Sequence, residues 1–142
     1  YPITQSYETY FKGYFNILQL FSEARHIQGI YYFLENPELD ILPKQLVPRP
    51  FDYWGMSVKE GTVDKNLYEL RMKEYRTLAR SVTSKFTKAV LIDVEPYLCK
   101  GDRCFSYMNG EFLYADDDHF SVFGSHYILG KSQHLIFDFG VD

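Results

Sequence analysis

Two short apolar runs, Ile30-Tyr31-Tyr32-Phe33-Leu34 and Ala89-Val90-Leu91-Ile92-Asp93-Val94, constrain this chain more than any other feature. Neither run alternates between apolar and polar residues. Both faces of each strand are therefore expected to be buried, as in parallel sheets covered by helices. A helical stripe precedes each run. From Ser6 to about Gln28 the apolar positions are Tyr7, Tyr10, Phe11, Tyr14, Phe15, Leu18 and Phe21, with Gly29 as the stop. From Asp64, a candidate N-cap, Leu67, Leu70, Met72, Tyr75, Leu78, Ala79 and Val82 supply a face to about Phe86. Helices alternating with buried strands predict a layered α/β arrangement. Two strands are too few for helices to cover both faces. The 142 residues are thus expected to form a single partial domain, 1–142, the second half of a larger one.

The stretch between these halves, Glu35 to Gly61, holds Pro37, Pro43, Pro48 and Pro50, which reject regular helix and central strand. It also holds the only tryptophan, Trp54, beside Phe51 and Tyr53. These rings can cover the edge of the core, or offer a face to a sugar ring or a partner. Farther on, Asn109-Gly110 between Cys104–Met108 and Glu111–Tyr114 is a hairpin signal, because both turn positions tolerate positive φ. Ser121 to about Leu129 reads as a short helix broken by Gly130, and His134 to Phe139 as a closing strand.

Charge and cysteines narrow the setting. A net charge of −4, with Arg71, Lys73, Arg76 and Arg80 interleaved with Glu69 and Glu74 on a solvated helix face, argues against a nucleic-acid surface. No run of about 18 apolar residues suggests a membrane span. The chain shows no signal peptide and starts at Tyr1-Pro2, which suggests a piece of something longer. Cys99 and Cys104 flank Lys100-Gly101-Asp102-Arg103. They lack the second pair a zinc site needs and are too far apart for Cys-x-x-Cys. A disulfide closing a small loop fits, placing the chain in an oxidising compartment; two free thiols are the alternative.

The chemistry concentrates at Asp116-Asp117-Asp118-His119-Phe120-Ser121. Serine acyl-transfer chemistry needs an imidazole to take the hydroxyl proton and a carboxylate to hold its tautomer. Asp116 and His119, three apart at a tight turn, can converge. Any of the three carboxylates can reach the ring, and spacing favours Asp116. The competing reading is a helix start, with Asp residues at the positive end of the dipole and Ser121 as cap. No cofactor is expected. A metal site with His126 or His134 is not expected either, since neither stands at a ligand spacing to His119.

In context, Ile92-Asp93, Leu98-Cys99, Cys104, Asn109-Gly110, Leu113-Tyr114, Asp116, His119, Ser121 and Gly124 stand in a familiar order. The pattern resembles the C-terminal part of the SGNH domain attached to membrane acyltransferases of the acyltransferase-3 type, which O-acetylate bacterial surface polysaccharides. Phe120 replaces the usual Leu. Upstream, Tyr32-Phe33-Leu34-Glu35-Asn36-Pro37-Glu38 and Arg49-Pro50 resemble the family's strand and following loop, so the likeness runs from about Gln19 to Ile128.

The resemblance implies a three-layer α/β/α, flavodoxin-like sandwich on a parallel sheet, with His119 as base and Asp116 as its orienter. It implies a carbohydrate acceptor, an acyl donor delivered by a membrane domain, and a periplasmic or extracytoplasmic location tethered to the inner membrane. Tyr53 and Trp54 are candidates for the acceptor groove. One departure is plain: the family's Gly-Asp-Ser nucleophile motif is not in this sequence, where Gly101-Asp102 is followed by Arg103. The serine and the first strands are expected upstream of Tyr1. A free-standing esterase, or a carbohydrate-binding or assembly module that lost its site, are the rival expectations.

Overall fold

The computed structural model of the chain describes residues 3–46 and 62–137. The described residues divide into two compact units, one of residues 3–34, 71–93 and 132–137, the other of residues 35–46, 62–70 and 94–131.

The first unit is organised by the two apolar runs. They form β1 (Ile30–Phe33) and β3 (Ala89–Ile92), a parallel pair in the register Ile30↔Ala89 to Phe33↔Ile92. The ladder continues at both ends, from Ile30 N to Lys88 O at 2.8 Å and from Leu34 N to Ile92 O at 2.9 Å. Helix α1 (Ile3–Glu23) buries Phe11, Tyr14 and Leu18, and its Tyr14 hydroxyl meets Thr83 Oγ1 at 2.9 Å. It stops at Glu23, short of the expected Gln28. The Lys88 ammonium there donates to the carbonyls of Ser22 (2.9 Å) and Ala24 (3.1 Å), which a continuing helix would use itself. Tyr10, Tyr32 and Tyr75 join through their hydroxyls above this pair, and burial pushes the Tyr32 and Tyr75 phenols up.

Helix α3 (Lys65–Thr83) begins where expected. Asp64 Oδ1 accepts from the N–H groups of Asn66 (2.8 Å) and Leu67 (3.1 Å). Its buried stripe is Tyr68, Met72, Tyr75, Ala79 and Val82, whereas Leu67 and Leu70 are exposed. The expected face was therefore rotated too far, because Tyr68 completes the 3.6-residue repeat and Leu67 does not. The cations on this helix are not all solvated either. Arg76 and Arg80 lie 3.4 and 3.5 Å from the two oxygens of Asp93, so the acidic residue after β3 is an ion-pair acceptor.

The second unit is built from short antiparallel pieces that the parallel-sheet expectation did not include. β2 (Thr62–Asp64), β5 (Arg103–Phe105) and β4 (Cys99–Lys100) form a sheet in the order β2-β5-β4. α4 (Glu95–Leu98) precedes β4, and Leu98 is fully buried. β6 (Tyr107–Met108) and β7 (Glu111–Phe112) form the expected hairpin, with Asn109 and Gly110 at φ 53° and 91°. In the proline-rich stretch, α2 (Pro43–Leu46) is a one-turn helix with Pro43 at its first position, where a missing N–H costs nothing. Residues 47–61, including Phe51, Tyr53 and Trp54, lie outside the described residues.

Helix α5 (Val122–Phe137) corrects two expectations. Gly130 does not break it, and His134 to Phe137 form its last turns rather than a strand; Asp138 and Phe139 lie outside the described residues. An internal Gly costs a helix about 1 kcal/mol relative to Ala. The buried repeat Gly124, Ile128, Ser132 runs past it and outweighs that penalty. Among the described residues, no helix is long and apolar enough to cross a membrane.

Candidate active site

Between β7 and α5 the chain folds back on itself. Ser121 N donates to Leu113 O at 2.9 Å and Ala115 N to His119 O at 2.8 Å, and Tyr114 and Phe120 stand opposite one another as a β-bridge. Leu113 and Tyr114 are buried and anchor the base of this loop, while Asp116-Asp117-Asp118 form its tip.

Two residues fix the exit. Ser121 Oγ donates to Phe112 O at 2.6 Å and accepts from Gly124 N at 3.0 Å, so its hydroxyl caps α5. A Cβ on Gly124 would lie 1.9 Å from Leu113 O, so this position admits no side chain. In the string Asp-x-x-His-x-Ser-x-x-Gly, the Ser and the Gly are therefore the members that place the loop. The helix-start reading is correct for Ser121, and it leaves Asp116 and His119 available for chemistry.

Asp116 Oδ1 accepts the backbone N–H groups of Asp118 (3.2 Å) and His119 (2.7 Å). Its two oxygens also lie 3.1 and 3.0 Å from His119 Nδ1. Asp118 Oδ1 reaches the same nitrogen at 2.7 Å. Of the three carboxylates that could reach the ring, Asp116, favoured by spacing, and Asp118 both do so, because the tight tip turns Asp118 onto the ring as well. The His119 backbone N–H is the main reason the Asp116 carboxyl is held down at about 2, with the Asp118 N–H and the imidazole adding to it. In return the Asp116 hydrogen bond and charge, then Asp118 and Asp117, push the His119 imidazole up. The His119 side chain is 76% exposed, so water screens these couplings.

With Nδ1–H given to carboxylates, Nε2 is the nitrogen that can take up a proton. The arrangement can thus act as a general base with a built-in orienter. Asp116, Asp118 and His119 offer ligand atoms within 4.8 Å of one another, and both carboxylates lie on His119 Nδ1. His126 and His134 are exposed on α5 and take no part in this group. Cys99 and Cys104 form the disulfide, as opposed residues of the β4–β5 ladder. Tyr53 and Trp54, the groove candidates, lie outside the described residues.

A family model described as "SGNH domain (fused to AT3 domains)" matches residues 6–131. The chain belongs to this family. The match begins within α1 and extends into α5, so it includes the parallel pair, the disulfide hairpin and the Asp/His loop of the SGNH domain. An α/β fold and a hydrolase-type function associated with a membrane acyltransferase follow at that level. No curated protein and no solved structure matched the chain.

Sequence reasoning missed a contact to the tip of the loop. The segment after Leu34 donates to it from Asn36 and from Leu39 N. Asn36 and Asp118 are 82 residues apart, and no local pattern announces a bond over that distance.

Proposed function

We propose that this SGNH domain carries the acid/base half of a Ser-His-Asp site that transfers an acyl group, acetyl in the simplest case, to a hydroxyl of a cell-surface polysaccharide. The observation that carries the reading is His119 Nδ1 held by Asp116 at 3.0 Å, on a loop whose other motif residues do structural work. Association with a membrane acyltransferase supports an acyl donor delivered from the membrane. The disulfide supports an extracytoplasmic, periplasmic setting.

In the first half-reaction, a serine Oγ attacks the donor carbonyl and forms the ester bond. Nε2 of His119 takes the Oγ proton and gives it to the departing group. In the second, a sugar hydroxyl attacks the acyl-serine, His119 takes that proton, and the proton returns to Oγ as the acyl bond to serine breaks. Asp116 keeps the ring in the tautomer that makes both transfers feasible. Ser121 is unsuited to be the nucleophile, since its hydroxyl is engaged in capping. The serine is proposed to come from a Gly-Asp-Ser segment outside this sequence, which would also complete a three-layer α/β/α sandwich. β1 and β3, apolar on both faces yet mostly half-buried, favour such further layers.

The exposed His119 ring admits water as readily as a sugar, and this favours esterase activity as the second reading. Acyl transfer and ester hydrolysis by the intact protein test both. Replacing His119 with Ala should lower both by roughly 10³-fold or more. Turnover within a few-fold of the parent would remove His119 from the mechanism.

A further inference from the structure

The loop tip contains two consecutive peptide groups, Asp117–Asp118 and Asp118–His119. Each is held at both ends. On the N–H side, Asp118 N and His119 N both donate to Asp116 Oδ1. On the carbonyl side, Leu39 N donates to Asp117 O at 2.7 Å and the Asn36 amide donates to Asp118 O at 2.9 Å. The donors come from one strap, Glu35 to Leu39. Pro37 and Leu39 are buried, and the Tyr68 hydroxyl ties the strap down at Glu35 O (2.6 Å). Pro37 fixes φ between the two donors, so they arrive as a pre-set pair.

The two bonds are not equivalent. Leu39 holds the peptide before Asp118. Asn36 holds the peptide between Asp118 and His119, the two residues whose side chains meet at Nδ1. If that peptide turned, His119 N–H would leave Asp116 Oδ1, and the backbone angles that seat the Asp118 carboxylate on the imidazole would change. Asp116 keeps a second anchor in the preceding peptide, through Asp118 N, so Asp118 is the carboxylate that depends more on Asn36.

Resting on the reading of His119 as base, we propose that Asn36 is a positioning residue of this site: its side-chain amide locks the Asp118–His119 peptide and so keeps the Asp118 carboxylate on the imidazole. The charges bearing on the ring are those of Asp116, Asp118 and Asp117. The strap itself carries Glu35 and Glu38.

The test uses the intact protein with ring-labelled histidine, following the His119 titration by NMR alongside the pH profile of acyl transfer. Asn36→Ala should move the His119 titration and the acid limb of the rate profile down together, toward ordinary imidazole behaviour. The plateau kcat should fall by about tenfold or more, with KM little changed. Asn36→Leu, close in size but without the donor, should act alike and guards against a packing artefact. In an Asp118→Asn background, Asn36→Ala should shift the titration no further, because the two act in series.

An unmoved His119 titration in both Asn36 variants would overturn the proposal, whether or not the rate falls. A rate loss without that shift would mark Asn36 as a direct contact to the reacting group instead. An equal shift with and without Asp118 would also overturn it. The NMR titration needs no turnover, so failure of the base assignment and failure of the clamp are read separately.

Discussion

The Asp/His loop and the β1–β3 pair are held in opposite ways. The loop is exposed, and its geometry comes from backbone bonds, a serine cap and one glycine contact. The strand pair takes its stability from apolar side chains, and of its eight paired residues Ile92 alone is fully buried. A region fixed by hydrogen bonds and close backbone approach tolerates almost no change of shape, even at the surface. A region fixed by burial tolerates change in proportion to the area it covers. The site sits on the first kind, as a constellation that must be held to a fraction of an ångström requires.

Four substitutions separate the two kinds of support. The largest effect is expected from Gly124→Ala, which forces a methyl into the Leu113 carbonyl. About 4 kcal/mol of lost stability, or a displaced loop, should appear in thermal unfolding and in the His119 NMR signal. A loss under about 1 kcal/mol would mean the loop is softer than described. Next comes Ile92→Ala, the strand-pair counterpart, at about 3 kcal/mol in denaturant unfolding with the His119 titration unchanged. Ser121→Ala should follow at about 1 kcal/mol through the lost cap. Asp118→Asn should leave global stability almost unchanged and lower the His119 titration, since one of the carboxylates that push it up is gone.

The pH dependence of the loop has a definite sign. His119 is raised from 6.5, so its pairing stabilises the loop fully below about pH 6.5 and is lost as pH climbs through the raised value. Asp116 is lowered from 3.8 to about 2, so its share is present above about pH 3.8 and is lost as pH falls through about 2. Exposure screens both contributions. The proposed base role needs His119 neutral, so activity should rise over the range in which the loop loses its ion pair. Local hydrogen exchange at residues 115–119 against pH would reveal this opposition.

What could be read in the chain beforehand was the part written in short-range chemistry. The unbroken apolar runs, the Asn109-Gly110 turn, the Asp64 cap and the Asp116–His119 spacing all act within a few residues. What escaped was decided at a distance. Helix α5 passes Gly130 because Ile128 and Ser132 are buried by the fold, and local propensity has no knowledge of that. Lys88 shortens α1 from 66 residues away. The strands β2, β4 and β5 are two or three residues each, too short for a periodic pattern. Asn36 escaped because it meets the tip of the loop from the other side of the sequence.

His119, held through Nδ1 by Asp116 and Asp118, is the proposed base of acyl transfer. The most direct test of that role sets the NMR titration of the His119 ring beside the acid limb of kcat/KM for acyl transfer, in the parent and in Asp118→Asn. The two values should coincide above 6.5 in the parent and move down together in the variant. A rate limb that stays in place while the ring titration moves would contradict the assignment.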